Sequence, residues 1–187
     1  GKEGGNMSCN CSLEQNYKVI GLCDVKKIND GKKIEPKKSW VQITIPEILT
    51  IPECKPTIEE IDKIYISAKV NSVRIIKTPK SPKNDKGEFI PSKEGTILTG
   101  RKLLVDGSLC QTIVYTANNR AQTVHAANFE IPFCVHIVID EDANIELDKY
   151  CVDICIEDVF ATVVDKKNIF KNVTLFLQAK KEKNPHC

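Results

Sequence analysis

No stretch of this chain is long and apolar enough to cross a bilayer as a helix. That takes ~18 or more consecutive apolar residues, and charge, proline or glycine interrupts every hydrophobic run well before that length. Residues 1–16 are polar and lack the apolar segment of a secretory signal, which gives the expectation of synthesis in the cytosol without export. An excess of charge of one sign is also missing: 27 Lys and Arg against 25 Asp and Glu leave a net charge of +2. Such a balance gives no electrostatic footprint for nucleic acid and no pull toward an anionic membrane. The lysine pairs Lys26–Lys27, Lys32–Lys33 and Lys37–Lys38 share one polar stretch and read as a solvated loop. No Walker A pattern, G-x-G-x-x-G string or basic stripe with interleaved aromatics occurs.

Catalytic constellations are lacking too. His125 has no serine or cysteine elbow beside it, and a catalytic histidine needs a partner within hydrogen-bond reach. It reads as a structural residue bonded to a strand turn. Cys134 and His136 are two apart, side by side on one strand face, whereas a nucleophile–base pair comes from separate elements with a third orienting group. The expectation is a protein that is not an enzyme and carries no cofactor. The metal candidates are Cys9-x-Cys11, Cys151-x₃-Cys155 and His186-Cys187. In a regular strand Cys151 and Cys155 stand roughly 13 Å apart, too far to share one ion. A zinc-binding module is therefore the minor alternative.

What is present is alternation. A chain of 187 residues, 41% apolar and 28% charged, can bury the core of one domain. Period-two patterning with β-branched residues marks strands over Tyr17–Lys26, Trp40–Ile45, Lys63–Ile76, Thr96–Val105, Leu109–Ala117, Phe129–Ile139, Lys149–Val164 and Ile169–Ala179. Pro46, Pro52, Pro56, Gly95, Gly107 and Pro132 punctuate these runs. Thr57-Ile58-Glu59-Glu60 reads as a capping box opening one short helix, with Ile58 and Ile61 toward the sheet. Thr78–Glu94, polar and proline-rich, reads as a surface loop or an extended interaction arm. The predicted fold is all-β, a β-sandwich or barrel-like domain over 17–179, with polar tails at 1–16 and 180–187.

Nine cysteines is a high and odd number for a chain without a visible export signal. Alternation assigns their faces. Val152, Ile154 and Ile156 form an apolar face, so Cys151 and Cys155 fall on the outward one with Asp153 and Glu157. Phe133, Val135, Ile137 and Ile139 point inward and Cys134 outward. Cys110 falls with Thr112 and Thr116, also outward. Cys23, in line with Val19 and Val25, reads as a buried core thiol. Cys54 lies in a loop, and Cys9, Cys11 and Cys187 lie in the tails.

Three strings in the middle of the chain carry a resemblance: Leu98-Thr99-Gly100-Arg101-Lys102-Leu103, Val114-Tyr115-Thr116-Ala117 and Val124-His125-Ala126-Ala127-Asn128-Phe129-Glu130-Ile131-Pro132-Phe133. With Ile51-Pro52-Glu53-Cys54-Lys55-Pro56-Thr57-Ile58-Glu59-Glu60-Ile61 upstream and Ile156-Glu157-Asp158-Val159 downstream, the chain resembles the spore-coat-associated (SPOCS) domain of endospore-forming bacteria. His125, Phe129, Pro132 and Phe133 are the most specific part, as a structural motif. The resemblance implies a coat, exosporium or appendage component of the spore surface, or an adaptor for a spore morphogenetic protein, and no catalytic activity. The peptidoglycan-binding LysM module of some relatives is not visible here. The cysteines are more numerous than the resemblance would suggest.

A spore-surface role gives the thiols a purpose: synthesis in the reducing mother-cell cytosol, then oxidation after that cell lyses. The expectation is a self-assembling subunit, with itself and other spore-envelope proteins as partners and neither nucleic acid nor membrane. The candidates for disulfides between subunits are Cys9, Cys11, Cys151, Cys155 and Cys187, with Cys110 and Cys134 as further surface thiols.

Overall fold

A computed structural model describes residues 16–30 and 39–182. Alternation of apolar and polar side chains over long runs gives seven strands among the described residues: β1 (Lys18–Ile20), β2 (Trp40–Thr50), β3 (Ile58–Lys80), β4 (Thr99–Ala117), β5 (Val124–Val138), β6 (Tyr150–Val163) and β7 (Asn168–Lys181). They form two sheets, a four-stranded β1-β3-β4-β5 and a three-stranded β2-β7-β6. All pairings are antiparallel except that of β1 with β3, which is parallel and holds Lys18 to Lys63, Val19 to Ile64 and Ile20 to Tyr65. The inward faces meet in one core. Ile64, Val105, Leu109, Ile113 and Tyr115 come from the first sheet, and Val159, Ile169, Val173, Leu175 and Leu177 from the second. The all-β sandwich expected from the periodicity is the fold.

Several local signals resolve differently from their sequence reading. The segment at Thr57–Glu60 is not a helix. Thr57 accepts the Asn118 N–H through its carbonyl (2.9 Å), Ile58 donates to the Lys166 carbonyl (2.7 Å), and β3 has begun. Register shifts at Ile58/Glu60 and Ile61/Lys63 put two residues three apart on one face, which imitates helical spacing. The one helix among the described residues is α1 (Val25–Asp30), started by Asp24, whose carboxylate accepts the Lys27 N–H (3.1 Å). The strand expected over Tyr17–Lys26 therefore stops at Ile20. Gly21 ends it with φ of 121°, and its Cα lies so near the Ile66 carbonyl oxygen that no Cβ would fit.

Gly107 does not break β4. A Cβ there would strike the Phe133 ring and the Lys69 carbonyl oxygen, so the glycine makes room for close packing inside a continuous strand. Pro46 and Pro132 also lie within strands. Each is in an edge strand, β2 or β5, where a missing N–H costs no ladder bond. The Thr78–Glu94 stretch finishes β3 at Lys80 and then turns tightly: Lys83 bridges to Phe89, the Asn84 carboxamide accepts from Lys86 N and Glu88 N, and Lys83 pairs with Glu141 at 2.9 Å.

Candidate functional site

The segment from Tyr17 to Asp30 ties the two sheets together. β1 lies along the β3 edge. The Tyr17 hydroxyl meanwhile reaches β6 in the other sheet, accepting the Ala161 N–H (2.7 Å) and donating to the Val159 carbonyl (3.4 Å). Burial raises the Tyr17 phenol above its ordinary value, so it stays a neutral donor at physiological pH. Past Gly21 the chain crosses to β6. Cys23 N–H donates to the Ile156 carbonyl (3.0 Å), and Cys23 is bonded through a disulfide to Cys155, their Cα atoms 5.3 Å apart.

This corrects two expectations. Cys155 is not an outward acceptor for another chain: it is buried and bonded within its own. The alternation was sound, since Ile156 faces the core and Cys155 the opposite side. However, residues 23–30 cross that opposite face, with Val25, Ile28 and Asn29 of α1 enclosing a groove over Trp40, Phe176 and Cys155. Cys23 is not a core thiol in a strand, because the strand has already ended.

The other cysteines divide clearly. Cys151 is half-buried at the start of β6 and is itself disulfide-bonded, to a partner outside the described residues. Cys54 and Cys134 are free and exposed, and Cys110 is free and half-buried. Cys9, Cys11 and Cys187 lie outside the described residues. Cys134 sits opposite Asp106 on the outer face of the first sheet. Desolvation, then the hydrogen bond and charge of Asp106, push its thiol above the ordinary range, with Arg74 opposing. A raised thiol holds little thiolate at neutral pH and is a slow attacker in disulfide exchange.

The histidine motif is spread along β5. His125 Nε2 lies 2.8 Å from Thr123 Oγ1, which also accepts from Asn119 Nδ2 at 2.9 Å. Its ring stands 5.9 Å from that of Tyr115. These contacts brace the β4–β5 turn. Phe129 packs against the core, Phe133 is buried over Gly107, and Pro132 is exposed opposite Ser108. Among the described residues no three His, Cys, Asp or Glu side chains gather as a metal-binding group.

Lys171 escaped the sequence reading. It lies on the inward face of β7 with no exposed surface, and its amine makes no hydrogen bond. Its place in the odd-numbered series Ile169, Val173, Leu175 was the available signal.

A two-sheet β-sandwich with a clipped N-terminal segment and free thiols on its surface is the class that fold and site define. Residues 48–164, more than half of the chain, match the family described as SipL, SPOCS domain, and the protein belongs to that family. It is thus a sporulation-related protein. No curated protein and no solved structure matches the chain.

Proposed function

We propose that the protein is a non-catalytic structural subunit of the spore surface, in a coat layer, exosporium or filamentous appendage, that associates with its own copies and is cross-linked by disulfides between them. The observation that carries this reading is the free, surface-placed thiol set of Cys54, Cys110 and Cys134 on a rigid sandwich in a sporulation family. Exposed free thiols are a liability for a solitary soluble domain, and they are useful where a reducing compartment later becomes oxidising. Those of Cys9, Cys11 and Cys187 that Cys151 does not hold supply further reach. Electrophoresis of native spore material tests the reading: a ladder without reductant should collapse to monomer with it. Monomer in both lanes would refute it.

A further inference from the structure

Cys151 stands where β6 begins, on the face opposite Val152 and Ile154, and the end of β7 runs beside it. It pairs in register with Lys180, as Tyr150 does with Lys181. The Glu182 N–H then donates to the Lys149 carbonyl (2.9 Å), so the chain is still beside β6 two residues past Lys180. Two ion pairs fix that end of β7: Lys180 with Asp153 (2.7 Å) and Lys181 with Asp148 (3.1 Å). Cys151 is disulfide-bonded, and the other described cysteines are either joined as Cys23–Cys155 or free. Its partner is therefore Cys9, Cys11 or Cys187.

We infer that the partner is Cys187, so that this second disulfide closes the β6–β7 hairpin within one chain. Cys187 comes five residues after Glu182, and five residues span up to about 16 Å. The way back to Cys151 is two residues along the ladder and one strand across, about 8 Å. Asn184-Pro185 is a turn-forming pair at the point where the chain has to double back. The N-terminal cysteines start much farther off. Tyr17 is anchored at Val159 and Ala161, and Cys151 lies eight residues before Val159, about 26 Å along β6. From Tyr17 to Cys23 the chain advances from Ala161 to Ile156, already toward Cys151. A cysteine ahead of Tyr17 has to reverse that direction, and the turn takes at least about two residues. Cys11 then has four residues left, about 13 Å, and Cys9 has six, about 20 Å. A disulfide adds only about 6 Å between Cα atoms. Cys11 falls short, and Cys9 arrives only as a taut chain, at a high cost in conformational entropy. The bond forms by exchange with a small disulfide such as oxidised glutathione. One thiolate attacks it and releases one glutathione thiolate; the second attacks the mixed disulfide and releases the other, so the pair's two electrons end on two glutathione thiols.

For the self-association proposed above, the assignment leaves Cys9 and Cys11 as the tail thiols that cross to a neighbour, and this consequence rests on that reading. Mass spectrometry of the full chain tests the bond itself, after oxidation with oxidised glutathione, isolation of the monomer and digestion without reductant. The Cys151 peptide should be joined to the Cys187 peptide; joining to Cys9 or Cys11 would overturn the assignment. In a mixture of isotope-labelled and unlabelled chains oxidised together, both peptides should carry the same label, and mixed pairs would place the bond between chains instead. Cys187→Ser should let an alkylating reagent reach Cys151 at least tenfold more than in the unaltered oxidised monomer, whereas Cys9→Ser/Cys11→Ser should keep it protected. The reverse pattern would refute the pairing. Without reductant, the Cys9→Ser/Cys11→Ser chain should give a ladder at least tenfold weaker than the Cys187→Ser chain, and equal ladders would overturn the role left to the N-terminal thiols. No ladder from any chain would overturn self-association and leave the peptide map to decide the bond.

Discussion

Lys171 shows what one residue in the wrong solvent does. Its stem fills a place between Ile169 and Val173, opposite Glu47 on β2 and Ala161 on β6. Burial lowers its amine from 10.5 to about 8, with the Glu47 charge opposing. The unfolded chain keeps the ordinary value, so below pH 8 folding must bury a cation and the whole penalty is present. The penalty fades as pH rises from about 8 and is gone above about 10.5. Stability to denaturant should therefore climb over that interval. Lys171→Met, which keeps the volume and drops the charge, should abolish the climb and raise stability at pH 7 by about 2–3 kcal/mol. A flat profile for the unaltered chain in urea unfolding would contradict this.

At the scale of elements, the clip formed by residues 17–23 joins three kinds of bond: a short parallel ladder, the Tyr17 hydroxyl on β6, and the Cys23–Cys155 disulfide. Three ladder pairs hold weakly alone, so the disulfide decides whether the clip stays shut. Its sequence separation of 132 makes it a long-loop cross-link, worth about 2–4 kcal/mol. Cys23→Ser, or reduction, should lower stability by that amount. Hydrogen exchange should quicken at residues 17–23 and at their β3 and β6 partners before the rest of the sandwich. Uniform exchange across both sheets would show that the clip is not a separate unit.

The legible and illegible parts of the chain separate at this same scale. Long alternating runs such as Phe133–Ile139 gave strand and facing together, because period two leaves one face for the core. Pro46 and Gly107 misled as breaks because their meaning depends on strand order and on a ring across the sheet. Ile58 and Ile61 misled because a bulge copies helical spacing. The face of Cys155 was readable. Its covering was not, since that comes from a segment 132 residues away in sequence.

For the molecule as a whole, closure is uneven by design of its edges. β2 and β5 carry prolines, while β3 is covered by β1 at one end and, among the described residues, is unpaired along the outer edge of Ala68–Ile75. Edges blunted by proline resist unwanted pairing, which leaves β6 and the uncovered part of β3 as the more receptive edges. Cys54 and Cys134 give a readout of what assembly covers or oxidises. In the isolated chain both should take up an alkylating reagent, and in oxidised assembled material at least one should be protected until reductant is added. Equal labelling in the two states, measured by mass spectrometry, would show that neither takes part.

The clip has a mechanical consequence. If neighbouring subunits hold one another through the residues that precede Tyr17, tension along an assembly enters each subunit there and meets the ladder of β1 in shear. Should the ladder slip, the Cys23–Cys155 bond carries the load straight across to β6. When the load leaves the subunit beyond Cys155, the chain between those two cysteines, including the long β3–β4 hairpin, bears none of it. The sandwich becomes slack held in reserve behind a covalent shunt, and a pulled subunit could lengthen only outside that loop.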